Sequence, residues 1–232
     1  DDNGYVDDTW GFDFTDAPGQ GGFGDATGRD NNPSDQNGHG THVAGIIAAD
    51  GKLRGVAPFV RLMPVRAAYN QFFGGALETD DAAAAIVYAV DNGARVLNLS
   101  WGDREESSLV RAAIGYAVAH DVIVVAAVGN DGSDAPHFPC GDPRVIGVAA
   151  SNRSGGRASF SNYGAAVGVE LAAPGEESAF PGAGIRSLLP LAFDDDGVKD
   201  GIGERRGTSM AAPHVAGLAA LVLCRADKTG AA

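Results

Sequence analysis

A serine and a histidine, each opening a run of small residues, are the side chains in this sequence best suited to do chemistry. Residues 207–217 read Gly-Thr-Ser-Met-Ala-Ala-Pro-His-Val-Ala-Gly. Small residues flank Ser209, so a planar carbonyl could reach its hydroxyl without meeting bulk, and Gly207 lets the incoming backbone turn sharply. An apolar helix is predicted to begin here. Pro213 falls in or near its first turn, where an N–H has no helical partner to lose, and 215–224 is apolar enough to be buried all round. Ser209 would then sit at a helix N-terminus, where free N–H groups and the helix dipole favour a developing oxyanion. Taken alone, the stretch fits an ordinary serine cap equally well.

Residues 37–45, Asn-Gly-His-Gly-Thr-His-Val-Ala-Gly, repeat the pattern of glycines, a histidine and a small-residue helix. A nucleophile and a base, each heading a buried helix, could carry out acyl transfer. Both stretches match diagnostic motifs of the subtilisin-like serine proteases, and the resemblance extends from about Asp1 to about Ala226. It implies that His39 is the general base, Ser209 the nucleophile and His42 a buried structural histidine one turn further on; the order of histidine before serine is the family's own. It also implies that Asn130 shares an oxyanion with the Ser209 N–H, although Asn-Asp-Gly on its own reads as a turn. Loss of such a donor slows turnover by about 10²–10³, a magnitude that comes from subtilisin. Ser100, Trp101 and Gly102, with Ala127, Val128 and Gly129, are implied to bracket an extended peptide and to wall its first pocket, which the glycines leave open. The sedolisins, on a similar fold, differ in having a glutamate where His39 stands.

These residues need a scaffold, and the apolar periodicity supplies one. A helix is predicted over 40–49, a strand over 60–65, a helix over 80–91 stopped by Gly93, and a strand over 96–100. A helix over 107–120 and apolar strands over 122–127 and 145–150 follow. Strands alternating with helices predict an α/β fold, and the resemblance makes it the three-layer subtilisin-like one: a mostly parallel sheet with helices on both faces. Ligands bind such sheets beyond the carboxyl ends of the strands, which is where 100–102 and 127–130 fall.

Composition narrows the field. The chain has 232 residues, 44% of them hydrophobic, enough for one core, so residues 1–232 are read as a single, incomplete peptidase domain. A net charge of −13 without a basic cluster beyond Arg205-Arg206 argues against nucleic acid. No apolar run is expected to reach the roughly 18 residues of a membrane span. Cys140 and Cys224 are read as free thiols, Cys224 inside the buried helix. The resemblance implies a protein or peptide substrate, a propeptide or proteinaceous inhibitor as partner, a monomer, and secretion.

Departures from the family matter as much. The family places an aspartate, followed by Ser or Thr and then Gly, at the end of a buried strand before the histidine. Asp1, Asp2, Asp7, Asp8, Asp13, Asp16, Asp25, Asp30 and Asp35 all precede His39, yet none has that setting and none is expected to follow an apolar strand. Replacing a triad aspartate costs about 10⁴ in rate. The chain is therefore read as truncated before that aspartate and short beyond Ala226; the alternative is a catalytically impaired relative that binds peptides or a partner protein. No cofactor is needed for the chemistry, but structural calcium is an expectation. Asp1, Asn3 and Asp7 around Gly4 resemble half of a calcium loop, without the closing glutamate because Trp10 takes its place. The acidic stretch 193–201 reads as a hairpin tip, with a calcium site or an acidic rim as alternatives.

Overall fold

The computed structural model describes residues 4–5, 8–16, 28–71, 74–176, 184–194 and 196–229. In chain order the elements begin with β1 (Phe12–Asp13), α1 (His39–Ala48), β2 (Val65–Arg66), β3 (Ala68–Gln71), β4 (Gly74–Leu77), α2 (Thr79–Asp91) and β5 (Val96–Leu99). They continue with α3 (Ser108–Ala119), β6 (Ile123–Ala127), β7 (Ile146–Ser151), β8 (Val169–Pro174), β9 (Ile185–Leu188), β10 (Ile202–Arg205) and α4 (Thr208–Thr229).

Strands β5, β6, β7 and β8 pair in that order, all parallel. Side chains alternate across a strand, so the unbroken apolar run of β6 feeds two cores. Val124 and Ala126 face α2 and α3, which bring Ala82, Ile86, Ala89 and Val90, and Val110, Ala113, Ile114 and Ala117, at helical spacing. Val125 and Ala127 face the other way, where Ala211, Ala212, Val215 and Ala216 of α4 pack on them together with Val148 and Ala150. Each fully buried valine contributes about 1.5–3 kcal/mol. The result is the predicted α/β arrangement, a parallel sheet covered on both faces.

The Gly93 stop is a Schellman turn: Gly93 N–H donates to Val90 O and Ala94 N–H to Ala89 O. Other expectations need correction. The strand expected over 60–65 is only Val65–Arg66, because its parallel partner β1 is itself two residues long. Asp13 ends β1, contrary to the expectation that no aspartate before His39 follows a strand. It is fully buried, where Arg66 reaches it at 2.6 Å and the Thr15 N–H and hydroxyl donate to it at 2.8 Å. Tyr5, Phe12, Phe14 and Tyr88 stack around this strand as a separate aromatic cluster.

α4 is not buried all round either. Its 22 residues extend about 33 Å, against about 13–20 Å for strands of four to six residues, so the helix outruns the sheet. Leu218, Leu221 and Val222 are exposed, and Cys224 is a free, exposed thiol, whereas Cys140 is free and buried. Thr208–Asp227 is also long and apolar enough, by length and composition, to cross a membrane, contrary to the expectation that no apolar run reaches that length. Its first half lies in the core between the sheet and α1. The antiparallel pair β9–β10 makes residues 193–194 and 196–201 part of a hairpin connection, as expected: Lys199 donates to the Asp194 carbonyl and Gly201 N–H to the Asp194 carboxylate. The hairpin β3–β4 had no counterpart in the sequence reading.

Candidate active site

The N-terminus of α4 is fastened to the carboxyl ends of β5 and β6. Gly129 N–H donates to Thr208 Oγ1 at 3.2 Å, and Ser100 Oγ donates to Ser209 O at 2.9 Å while accepting from Asn98 Nδ2 at 2.9 Å. Gly207 makes the turn at φ 146°, a torsion that L side chains rarely adopt; the nearest atom to a hypothetical side chain there is 3.6 Å away, so torsion and not space requires the glycine. Ser209 is the second helical residue, and its N–H belongs to the first turn, which has no carbonyl one turn back to receive it. Its hydroxyl donates to Ser100 O at 3.1 Å.

Asn130 completes this corner. Its Oδ1 accepts from the Thr208 N–H at 2.8 Å and from Thr208 Oγ1 at 3.1 Å. A backbone N–H can only donate, so this contact decides which end of the carboxamide is oxygen. The Nδ2 group is left as a donor on an exposed residue; it and the Ser209 N each lie 3.7 Å from the position a Gly207 Cβ would take. The asparagine thus caps the helix and keeps a donor turned to the same corner.

His39 heads α1, and Asp35 builds that helix start. One carboxylate oxygen of Asp35 accepts from the N–H groups of Asn37 and Gly38, and the other from the N–H and hydroxyl of Thr41, at 2.7–2.8 Å. Burial pushes the Asp35 pKa up, but the four hydrogen bonds outweigh it and hold the group below its ordinary value. α1 and α4 lie side by side with their N-termini at one end, since Met210 packs with Val43 and Ile46 whereas Gly217 lies against Ile47. His39 and Ser209 therefore share that end of the helix pair. No hydrogen bond joins them among the described residues, and His39 is not on the wall of the groove beside Ser209. Burial and the Arg205 cation lower the His39 pKa against the opposing pull of Asp35, so the imidazole is neutral at pH 7. His42 is fully buried with Nε2 at 2.9 Å from Ile185 O, and burial drives its pKa down to about 4; it is a structural histidine.

Among the described residues no carboxylate hydrogen-bonds the His39 ring. Asp8 accepts from Tyr88, Asp13 binds Arg66, Asp16 pairs with Arg29, Asp30 accepts from Asn32 N–H, and Asp35 is spent on the backbone of α1.

A groove of about 430 Å³ opens beside Ser209. Trp101, Gly102, Ala127, Gly129 and Asn130, all singled out from the sequence, line it together with Asp103, Arg104, Asp131, His137 and Thr208. Two of the expected peptide-bracketing residues are not on this wall. Ser100 lies beneath the nucleophile, and Val128 is in the core with its N–H donating to Val148 O and its carbonyl accepting from Asn162 Nδ2. His137 was not read from the sequence at all: it stands in the connection from β6 to β7, which has no periodicity to place it. The two glycines expected to leave the pocket open also make room for its ring. A Cβ on Gly102 would lie 2.7 Å from His137 Nε2, and one on Gly129 would lie 2.8 Å from Cε1.

The calcium expectation at Asp1, Asn3 and Asp7 lies outside the described residues. Asp16, Glu78 and Asp81 bring one ligand oxygen each within 4.8 Å of one another. Arg29 already pairs with Asp16 and Asp81 there, at 2.9 Å to each, so this cluster has its counter-cation and is a poor fit for a metal ion.

Comparison with known proteins identifies the family. The profile of the subtilase family, Peptidase S8, matches residues 14–231. A thermophilic serine proteinase from Bacillus sp. (strain AK1) is 40% identical over 202 residues, 85% of this chain and 45% of the relative. Thermitase from Thermoactinomyces vulgaris is 38% identical over 85% of this chain and 65% of its own length. Among solved structures, a protease from Pseudoalteromonas arctica superposes with a TM-score of 0.79 at 33% identity, over 91% of this chain and 70% of that one. The chain belongs to the subtilase family of serine peptidases. It spans between about half and two thirds of the length of these curated relatives.

Proposed function

We propose that this chain carries the nucleophile, the base and the oxyanion donors of a serine endopeptidase. Ser209 attacks a peptide carbonyl after its hydroxyl turns from Ser100 O, and neutral His39 takes the proton and returns it to the leaving amine. The Ser209 N–H and Asn130 Nδ2 hold the tetrahedral oxyanion, and water then clears the acyl-enzyme. The observation that carries this reading is the Asn130 carboxamide, whose oxygen is fixed on the Thr208 N–H and whose donor end is left free beside the nucleophile. On family likeness the reading extends to a protein or peptide substrate, a propeptide or proteinaceous inhibitor as partner, a monomeric state, a site of action outside the cytoplasm, and calcium for stability only. Labelling of the parent protein by a fluorophosphonate, and its loss in Ser209→Ala, is the expected result. Equal labelling of the two proteins would remove Ser209 from the mechanism.

A second reading is a catalytically impaired relative that binds peptides or a partner. Two observations favour it: no described carboxylate orients His39, and the Ser209 hydroxyl is turned onto Ser100 O. Peptide binding by the full-length protein with neither labelling nor cleavage would establish it.

A further inference from the structure

His137 occupies a place that the mechanism above does not use. The Nε2 edge of its ring is wedged between Gly102 and Gly129, at the carboxyl ends of the two strands that flank the nucleophile. Its loop is locked in position: Phe138 N–H donates to Asp103 O at 2.6 Å, Asp103 N–H donates back to Phe138 O at 2.8 Å, and His137 O accepts from Gly141 N–H at 2.8 Å. The residue is only 8% exposed, and the groove is where that exposure lies. Nδ1 is sealed from solvent and has no partner. A neutral imidazole carries one proton, and a buried N–H without an acceptor is rarer and costlier than a bare lone pair. The proton therefore belongs on Nε2, the atom at the groove, which makes the floor of the groove a hydrogen-bond donor.

We propose that His137 is the specificity-determining floor of the groove beside Ser209, and that the groove selects, on the acyl side of the scissile bond, a medium-length side chain ending in a carboxamide or carboxylate. This rests on the protease reading and deepens it. The glycines that admit the ring leave the walls backbone-like and narrow, while the ring takes the depth that a large aromatic side chain would need. A site built around a hydrogen-bonding group discriminates well, because a substrate lacking the partner leaves that group desolvated and unpaired.

The charged groups facing the ring sharpen the expectation. Asp103 and Arg104 lie beyond β5 and Asp131 beyond β6, with Arg104 and Asp131 paired at 3.4 Å on the rim. Burial lowers the His137 pKa, the two aspartates oppose this and Arg104 reinforces it. At neutral pH the ring is a neutral donor suited to a glutamine side chain. A second proton would have to sit on the sealed Nδ1, which burial opposes, so the ring is held in the neutral donor form.

The test uses the full-length protein and four peptides that differ only in the residue before the cleaved bond: Gln, Glu, Leu or Phe. Ratios of kcat/KM at a single pH cancel the titration of His39, which is common to all four. In the parent, Gln should exceed Phe by about 10-fold or more. His137→Ala should reverse the Gln-to-Phe order. His137→Gln, which keeps bulk and a donor, should keep the preference for Gln, so the outcome does not hang on one variant's folding. A parent that labels with fluorophosphonate and cleaves Phe in preference to Gln, or a His137→Ala variant that labels and keeps the parent's order, would overturn the proposal while leaving the protease reading intact. Absence of both labelling and cleavage would overturn the two together.

Discussion

The two roles of Asn130 can be separated by a change of one atom. In Asn130→Asp the oxygen that accepts from the Thr208 N–H and hydroxyl is retained, while the free donor becomes a second carboxylate oxygen. A negative charge at a helix N-terminus is favourable by about 0.3–1 kcal/mol, so stability should hold or rise slightly. Catalysis should collapse, because the group facing the nascent oxyanion changes from donor to like charge. Removal of this donor alone costs about 10²–10³ in kcat, or about 2.7–4 kcal/mol, the value known for subtilisin itself, and the charge adds to it. Asn130→Ala removes both functions: it should lose at least the same factor in turnover and also a cap worth about 0.5–2 kcal/mol. For a chain of this size that is a fall in Tm of about 1–8 °C. Steady-state kinetics on a chromogenic peptide and thermal unfolding by circular dichroism measure the two axes independently. KM should move little, since the contact forms in the transition state. An Asp variant that turns over within a few-fold of the parent, or one as destabilised as the Ala variant, would refute the assignment of the two ends of this amide.

Other substitutions probe the scaffold. Asp35→Asn keeps an acceptor for only one of the two pairs of donors, and should cost about 1–2 kcal/mol at pH 7 by chemical denaturation. Because the Asp35 pKa is held down in the folded state, its contribution is fully present above the ordinary carboxylate value and is lost as the pH falls through the folded pKa; the gap between parent and variant should close there. Gly207→Ala forces an L side chain to φ 146° and should cost about 1–3 kcal/mol with weaker labelling of Ser209, although nothing obstructs the added methyl; unchanged unfolding and labelling would show that the turn tolerates another torsion. Asp121, at φ 60° where α3 ends, is the non-glycine residue in the left-handed region among those described, and Asp121→Gly should raise stability by about 0.5–1 kcal/mol in the same unfolding assay.

What could be read from the sequence follows the strength of local periodicity. β6 and α3 were legible because 122–127 is uniformly apolar and 107–120 repeats at helical spacing, so each fixes its own burial. β1 was not legible because a two-residue strand has no period; only the pairing of Phe12 with Val65 and of Asp13 with Arg66 defines it. The exposed half of α4 was misread because composition reports apolar character and not the length of the sheet beneath it. Ser209, Asn130, Gly102 and Gly129, singled out by the motifs, all line one groove, since strand ends and helix starts are local features that the parallel topology gathers on one edge. Asp35 carried a legible signal, an acid shortly before a helix, but the histidine motif drew attention past it. His137 carried none, for its position depends on how a long aperiodic connection folds back against two glycines.

In the proposed mechanism the base and the nucleophile lie on separate helices, and each has a reason to do so. Ser209 needs free N–H groups and therefore a helix start, and His39 needs a fixed backbone close by; two helix starts at one end of a packed pair satisfy both through Met210, Val43 and Ile46. Turning the Ser209 hydroxyl away from Ser100 O gives up one neutral hydrogen bond, about 0.5–1.5 kcal/mol, small beside the roughly 8–23 kcal/mol by which enzymes lower barriers. The electrostatics of His39 are the harder requirement. Burial and Arg205 keep the ring neutral and ready to accept a proton, and the same two influences oppose the imidazolium that forms once it has done so. Asp35 offsets part of this at a distance, but its oxygens are committed to α1 and it cannot also fix the tautomer of the ring. The ring is therefore available in its neutral form at the start but is a weaker base for the proton it must take up. That is the imbalance a hydrogen-bonded carboxylate on Nδ1 corrects, and it makes such a partner, more than any change at Ser209, the condition on which turnover by this site depends.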